Sequence, residues 1–294
     1  MNKQTFLTLL ATFALLFSFT FSCHAKGKDK AKHVVFIGLD GWGAYSLPKA
    51  DMPNVKKLME DGAYTLKKRS ALPSSSAINW ASMFMGAGPE LHGYTEWGSK
   101  TPELPSRVLN KNGIFPTVFQ LLHDARPEAE IGCLYEWEGI KYLVDTLSLN
   151  YHYHVADCNK TPKELGNMAS AYIKEKHPAL VAICYDGPDH TGHTEGHDTP
   201  AYYEKLKELD IYVGQIVQAV KDAGILDDTI FILTSDHGGI DKGHGGKTMQ
   251  EMETAFIISG KNIKKGLRFD DVSMMQYDVA STIASIFNLE QPQV

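Results

Sequence analysis

The amino-acid sequence predicts an α/β protein with a single doubly wound, mostly parallel sheet and helices on both faces. Short apolar runs rich in β-branched residues alternate along the chain with longer segments of helical periodicity, as in parallel-sheet domains. Three of the apolar runs are followed by an aspartate with glycines around it, at Asp40, Asp186 and Asp236. Because open α/β sheets carry their chemistry at the carboxyl ends of the strands, we expect the functional site there.

The predicted elements follow in a regular order from His33, where the folded domain is expected to begin. Strands are predicted at residues 34–39, 129–135, 178–185, 229–234 and 255–259. Helices are predicted at residues 53–62, 113–124, 162–176, 202–223 and 277–287, with another that starts near serines 74–76 and ends at Gly86. The aromatic-rich region 137–158 matches neither pattern. With no internal repeat or linker, residues 33–294 are expected to form one domain without a large cap domain.

Composition and charge are those of a soluble globular protein. Of the 294 residues, 43% are hydrophobic and 22% are charged, and the net charge of -6 gives no reason to expect nucleic acid or an anionic membrane as a partner. Three cysteines lie beyond residue 25, and none has a CxxC partner: Cys133, Cys158 and Cys184. We therefore expect neither a dense disulfide framework nor a thiolate metal site. The oligomeric state is open.

The N-terminus predicts export. Lys3 precedes the apolar run 6–21, and small residues follow it, which is the layout of a signal peptide over residues 1–25 with a basic tether over 26–32. The apolar run is short for a bilayer span, so we expect no transmembrane segment after processing and a secreted or periplasmic protein. Lipidation of Cys23, which would leave an anchored lipoprotein, is the alternative.

Carboxylates and imidazoles follow the predicted strands in a set large enough to hold metal ions. The set is Asp40, Asp189, His193, Asp236, His237 and His244, with Asp186, His190 and His197 near them in sequence. Three carboxylates and three imidazoles suit two divalent cations of the zinc class. Two such ions roughly 4 Å apart can stabilise the attacking and leaving oxygens of an in-line displacement. A single metal site and a purely structural role are the alternatives.

Ser74, Ser75 and Ser76 stand where a helix is predicted to begin. Serine is a favoured N-cap residue, so capping alone explains one of them. A hydroxyl at a helix N-terminus also lies in a positive field that favours an alkoxide and a bound phosphate. One of these serines is therefore a candidate nucleophile.

Several sequence blocks resemble the alkaline phosphatase superfamily and, within it, the nucleotide pyrophosphatase/phosphodiesterase group. The blocks are Leu39-Asp40-Gly41; Ser76, Asn79, Gly86, Pro89-Glu90 and His92-Gly93 in ungapped register; Pro188-Asp189-His190-Thr191-Gly192-His193; and Ser235-Asp236-His237-Gly238. The resemblance covers most of the chain after the signal segment. It implies an alkaline phosphatase-like fold, hydrolysis of small phosphate esters, and Ser76 as the nucleophile among the three serines.

The resemblance also implies a role for each matching residue. One zinc ion would be held by Asp40, Ser76, Asp236 and His237, and the other by Asp189, His193 and His244. Ser76 would form the covalent intermediate, and Asn79 would donate a hydrogen bond to a phosphoryl oxygen.

Two departures from the group's pattern bear on the substrate. His244 follows His237 closely, as in the sulfatase and mutase branches, and Ala77-Ile78 stands in place of the usual Phe-Pro. A sulfatase is not expected, since no Pro-x-Arg block follows Ser76. Asn79 in place of an arginine clamp favours phosphodiesters over monoesters. The alternatives are a phosphomonoesterase, a phosphotransferase or phosphomutase with the same site, and a non-catalytic binding protein, which would have lost a ligand or the nucleophile.

Overall fold

A mixed sheet runs through the part of the chain that the computed structural model describes, residues 30–156 and 162–291. Its strands are β1 His33–Leu39, β2 Gly62–Arg69, β3 Ile131–Tyr135, β4 Tyr151–His154, β5 Leu180–Tyr185, β6 Thr229–Thr234, β7 Glu253–Gly260 and β8 Leu267–Arg268. Their order across the sheet is β4-β3-β5-β1-β6-β7-β2-β8. Strand β1 therefore lies near the middle, between β5 and β6.

Helices connect the strands and cover the sheet. They are α1 Pro53–Glu60, α2 Ser76–Met85, α3 Pro89–His92, α4 Val118–Ala125, α5 Pro162–Lys176, α6 Asp189–Glu195, α7 Pro200–Asp222, α8 Met249–Met252 and α9 Asp278–Phe287. Short 3-10 turns lie at Ala44–Ser46, Glu138–Tyr142, Thr146–Ser148 and Leu226–Asp228.

Side chains of β1 alternate between two apolar cores, one on each face of the sheet. Val34 and Phe36 belong to the core shared with α2, α4 and α9, whereas Val35 and Ile37 belong to the core shared with α1, α5 and α7. Because both faces are covered, a central strand is apolar at nearly every position. The predicted doubly wound architecture is confirmed.

Most of the strand pairs are parallel, as predicted. The pairs β4/β3, β3/β5, β5/β1, β1/β6 and β2/β8 are parallel, and β7 runs antiparallel to both β6 and β2. The sequence does not reveal the direction of β7, since an apolar strand has the same pattern in either sense.

Strands β2, β4 and β8 have no counterpart among the predicted elements. The end of β2 is rich in basic residues, which are not typical of a buried strand. Lys68 is nevertheless fully buried, and its ammonium group donates to the carbonyl of Ser235 at 2.8 Å. Strand β4 lies in the aromatic region that matched no pattern, and helix α4 begins at Val118, five residues later than predicted.

The N-terminal predictions fall mostly outside the described residues. Residues 1–29, which include the signal peptide, Cys23 and most of the tether, are not described, and neither is Cys158. Among the described residues, no helix has both the length and the apolar character needed to cross a membrane.

The sheet register brings three strand ends together. Leu39 of β1 pairs with Tyr185 of β5, and Gly38 pairs with Thr234 of β6. The residues that follow these strands therefore emerge side by side at the carboxyl edge, where the site lies.

Candidate active site

The inner group of the site consists of Asp40, Asp236 and His237, which follow the central strands β1 and β6. His237 Nε2 lies 3.4 Å from Asp40 Oδ1 and 3.2 Å from Asp236 Oδ2. All three side chains are buried. Because they follow two hydrogen-bonded strands, their positions are set by the sheet itself.

In each side chain of the inner group, one polar atom forms a hydrogen bond with the surrounding protein and the other points toward the rest of the group. Asp40 Oδ2 accepts from Trp80 Nε1 at 2.9 Å, and Asp236 Oδ1 accepts from the Gly41 amide at 3.1 Å. Asp40 Oδ1 and Asp236 Oδ2 are buried, and no described residue donates a hydrogen bond to either atom. His237 Nδ1 lies 2.8 Å from the Gly238 carbonyl, which only accepts, so we assign the hydrogen to Nδ1 and a lone pair to Nε2. Three acceptors therefore face one another.

The outer group consists of Asp189, His193 and His244. Asp189 and His193 lie one turn apart on α6, with His193 Nε2 3.1 Å from Asp189 Oδ2 and 3.2 Å from His244 Nε2. The Nδ1 atoms of both histidines are committed to carbonyls, of Lys242 at 2.9 Å and of Ser74 at 3.0 Å. The two Nε2 atoms therefore point toward each other and toward a carboxylate oxygen.

This arrangement fits divalent cations. Acceptor atoms that converge without donors repel one another unless a positive charge lies between them. The ligand atoms of Asp189, His193 and His244 lie within 4.8 Å of one another, and so do those of Asp40, Asp189 and His237. Carboxylate oxygens and imidazole nitrogens are the ligands of zinc-class ions. Asp189 belongs to both sets, so the inner and outer groups adjoin.

The pKa values of the inner group reflect its burial. Burial raises the pKa of Asp40 well above its usual range, and the charge of Asp236 raises it further. Burial also raises the pKa of Asp236 to about 7 and lowers that of His237. Ionised carboxylates at this density are costly unless cations compensate them.

In the outer group, the hydrogen bond between Asp189 and His193 outweighs the effect of burial on the pKa values of these two side chains. The hydrogen bond with Asp189 raises the pKa of His193 to about 9. Burial opposes ionisation of Asp189, but its hydrogen bond with His193 and the nearby imidazoles bring its pKa below the usual range. Burial lowers the pKa of His244.

Of the three serines, Ser76 is the one at the inner group. It is the first residue of α2, follows the extended Ser75, and its Oγ lies 3.2 Å from His237 Nε2. Ser74 Oγ donates instead to the Gly246 carbonyl at 2.7 Å. Helix α2 thus holds the Ser76 hydroxyl at its positive end, against the candidate ligands.

The side chain of Asn79 lies against the loop before α2. Its side chain is fully buried; Nδ2 donates to the carbonyls of Ala71, Pro73 and Ser75, and Oδ1 accepts from the Ala71 amide. Both polar atoms of the amide are therefore committed to the loop before α2. Asn79 thus shapes the loop that carries Ser76, and its hydrogen bond to a phosphoryl oxygen stays a prediction.

A small cavity opens over the outer group and Ser76. Its volume is about 150 Å³, and its lining residues are Ser76, Trp97, Trp137, Asp186, Asp189, His190, His193 and His244. None of the described lining residues is a lysine or arginine. Trp97 is 66% exposed at its mouth. Asp186 and His190, which are near the candidate ligands in sequence, therefore also lie beside them in the structure.

Sequence reasoning missed the groups that hold the ligands. Trp80 donates to Asp40 from α2, and His197 lies 3.6 Å from Asp189. A tryptophan in an apolar helix has no local signature of a polar role. His197 follows His193 by four residues, and this spacing in the sequence indicates that the two imidazoles lie near each other.

Comparison with known proteins identifies the family of this chain. Residues 34–255 match the sequence model of the family described as type I phosphodiesterase / nucleotide pyrophosphatase. The chain belongs to that family. The matched range contains every candidate ligand together with Ser76.

Two curated relatives are similar over part of their length. Mouse bis(5'-adenosyl)-triphosphatase enpp4 is 26% identical over 221 residues, which are 71% of this chain and 48% of that protein. GPI ethanolamine phosphate transferase 3 of Schizosaccharomyces pombe is 30% identical over 122 residues, 41% of this chain and 13% of that protein. The chain thus spans less than half the length of either relative.

The fold is also that of a solved member of the family. Murine ectonucleotide pyrophosphatase / phosphodiesterase 5, as an inactive variant in complex with AMP, superposes with a TM-score of 0.72 at 15% identity. The superposition covers 88% of this chain and 96% of that chain. The alkaline phosphatase-like fold expected from the sequence is therefore confirmed.

Proposed function

We propose that this protein is a metal-dependent hydrolase of phosphodiesters or nucleotide pyrophosphates, with Ser76 as its nucleophile. One observation carries the proposal: in two adjoining ligand groups beside a serine at a helix N-terminus, the carboxylate oxygens Asp40 Oδ1, Asp189 Oδ1 and Asp236 Oδ2 are buried without a hydrogen-bond donor among the described residues. Membership of the phosphodiesterase family supports the same chemistry.

The inner and outer groups would each hold one divalent cation, with zinc as the expected ion. Such cations would lower the pKa of the Ser76 hydroxyl and neutralise phosphoryl oxygens. We keep the predicted division of ligands: Asp40, Ser76, Asp236 and His237 for one ion, and Asp189, His193 and His244 for the other.

In the proposed reaction, Ser76 Oγ forms a bond to phosphorus while the bond from phosphorus to the leaving oxygen breaks. The serine proton passes to solvent, and the leaving alkoxide takes one up. Water then cleaves the serine–phosphorus bond, restoring the hydroxyl and releasing a phosphate monoester. The chain's contribution is to hold Oγ at the start of α2, where the helix field favours its anion.

The cavity supports a diester rather than a monoester substrate. A monoester dianion gains most from a bidentate arginine, and no described lining residue is an arginine or lysine. A volume of about 150 Å³ accommodates the phosphoryl group, so the rest of the substrate would extend past the exposed Trp97. Aromatic faces at the mouth suit a nucleobase, in keeping with the adenosyl substrate in the enpp4 name and the AMP bound to the solved relative.

Two chromogenic substrates test this proposal. Purified protein loaded with Zn²⁺ is assayed with p-nitrophenyl phosphate and with p-nitrophenyl thymidine 5'-phosphate, each with and without EDTA. We expect faster turnover of the diester and its loss with EDTA. Faster turnover of the monoester would instead make the protein a phosphomonoesterase.

Substitution of the nucleophile tests the covalent role. Ser76→Ala is expected to lower kcat by at least about a hundredfold, since nothing else supplies the attacking oxygen. Ser75→Ala is the matched control and should stay near wild type. If metal-loaded Ser76→Ala retained more than about a hundredth of wild-type kcat, the covalent role would be rejected.

A phosphotransferase is the second candidate, favoured by the similarity to the ethanolamine phosphate transferase. Transfer and hydrolysis share the first step and differ in the acceptor of the phosphoryl group. Adding glycerol or ethanolamine to the diester assay distinguishes them. A hydrolase releases the monophosphate regardless of acceptor, whereas a transferase forms the new ester in proportion to it.

We also propose that the protein is exported after removal of residues 1–25, with residues 33–294 as the catalytic domain. The support is the pattern of charged, apolar and small residues at the N-terminus. Mass spectrometry of the secreted or periplasmic protein is expected to find a chain starting near Lys26. A lipid-modified N-terminus at Cys23 would support the lipoprotein alternative.

A further inference from the structure

His197 is a buried imidazole beside the outer group that the proposed reaction does not use. Its side chain is fully buried, and neither ring nitrogen has a hydrogen-bond partner among the described residues. A buried polar group without a partner destabilises the folded state. Such a group in the centre of a site calls for a functional explanation.

The atom facing His197 is also without a partner. Asp189 Oδ1 lies 3.6 Å from His197 Nε2 and is itself buried with no donor. The other oxygen, Oδ2, faces His193 Nε2 at 3.1 Å and His244 Nε2 at 3.7 Å. The carboxylate therefore turns one oxygen to the ligand nitrogens and the other to His197. A shift of less than about 1 Å would bring His197 Nε2 and Asp189 Oδ1 to hydrogen-bond distance.

The backbone is built to admit this ring. A Cβ atom on Gly192 or on Gly239 would lie 2.3 Å from ring atoms of His197, so both positions must be glycine for the ring to fit as it does. The His197 amide donates to the Asp241 carbonyl at 2.6 Å. The ring thus lies where α6, which carries Asp189, meets the loop after β6.

We propose that His197 is a positioning residue that donates from Nε2 to Asp189 Oδ1 and so holds Oδ2 toward the outer group. The proposal rests on the proposed function, because it takes Asp189 as a metal ligand. Asp189 belongs to both candidate ligand sets, while His197 belongs to neither. The terminal torsion of a carboxylate is soft, so a donor on one oxygen decides where the other points. Losing such a contact typically weakens metal binding 10- to 100-fold.

Two amide substitutions test the placement of the donor. The glutamine of His197→Gln can carry an N–H near the position of Nε2, whereas the shorter asparagine of His197→Asn carries it near Nδ1. Both are polar, so the pair separates donor placement from the cost of burying an amide. Zn²⁺ stoichiometry and affinity are measured by competition with a chromophoric chelator, and the ligand geometry by the absorption spectrum of the Co²⁺ form.

We expect wild type to bind two Zn²⁺ ions, His197→Gln to bind them nearly as well, and His197→Asn to bind one of them 10- to 100-fold more weakly with an altered Co²⁺ spectrum. Equal affinity in all three proteins would overturn the proposal, as would equal losses in both variants while their thermal unfolding stays cooperative. Wild-type protein that binds no Zn²⁺ would overturn both this proposal and the proposed function. Two bound ions without diester turnover would count against the proposed function alone.

Discussion

The inner and outer groups offer similar atoms on very different supports. Asp40, Asp236 and His237 follow central strands, and the His237 and Asp236 side chains have no exposed surface. The outer group is carried by the short helix α6 and by the loop after β6, and the His193 side chain is 46% exposed. The inner group is therefore set by the core of the protein, whereas the outer group depends on local contacts.

This difference predicts how the two groups respond to change. A ligand lost from a buried group leaves uncompensated charge that water cannot reach, while a ligand lost from an exposed group can be replaced by water. We therefore expect the inner group to bind its ion tightly and to fail abruptly, and the outer group to bind more weakly and to fail by degrees.

The largest effect is expected from Asp236→Asn. Removing one partner of a buried charged set costs roughly 3–5 kcal/mol, so the affinity of one Zn²⁺ should fall by more than about a hundredfold. The fold should survive, since the amide can still accept from Gly41. Competition with a chelator measures the loss. An effect no larger than that of an outer-group variant would break the comparison.

Acid should destabilise the packing of α2, the helix that carries Ser76, because His92 becomes protonated. Burial lowers the pKa of His92 to about 4, and its ring accepts from the Tyr94 amide and contacts Ser82 Oγ at 3.0 Å. The unfolded chain, with a histidine pKa of about 6.5, binds the extra proton first, so stability is present above about pH 6.5 and is lost as the pH falls toward 4.

The loss attributable to His92 is at most about 3 kcal/mol. Urea unfolding of metal-free wild type and His92→Gln between pH 7 and 4 measures it. The wild-type curve should be steeper in this range, and parallel curves would reject the role of His92. The same curves give the stability baseline against which acid loss of metal from either group is judged.

Asn79→Ala is expected to act on the support of Ser76. The substitution leaves the carbonyls of Ala71, Pro73 and Ser75 without their donor, at a cost of about 1–3 kcal/mol in unfolding free energy. We expect lower kcat with an unchanged ratio of diester to monoester turnover. A change in that ratio would instead support the predicted direct contact between Asn79 and a phosphoryl oxygen of the substrate.

The smallest effect is expected from His193→Gln. Because nearly half of the His193 side chain is exposed, water can take its place, and Zn²⁺ affinity at the outer group should fall about 100-fold, the upper end of what loss of an outer-shell partner costs. His123→Gln, at a partly exposed histidine on α4, is the control. A loss as large as that of Asp236→Asn would show that the outer group is as rigid as the inner one.

Much of the fold and of the ligand set was predictable from the sequence because its signals are local. The apolar run 229–234 is the strand β6 as predicted, and the Ser-Asp-His-Gly block after it carries two of the inner ligands. Strand β2 was missed for a reason outside its own sequence. Lys68 can be buried there because the carbonyl of Ser235 and the side-chain oxygen of Gln276, both far along the chain, accept its hydrogen bonds.

The sequence by itself determined which strands are buried, where helices alternate with them, and which side chains follow the strand ends. Only the tertiary structure decided that Asn79 faces the loop before α2, that Asp189 is shared between two groups, and that His197 lies behind it. Periodicity and motifs depend on neighbours a few residues apart. The orientation of a carboxylate or an amide depends on which donors and acceptors surround it. Asp236 accepts from the Gly41 amide 195 residues away, whereas the Asn79 amide is held by groups four to eight residues away, and neither periodicity nor a motif shows which of these contacts forms.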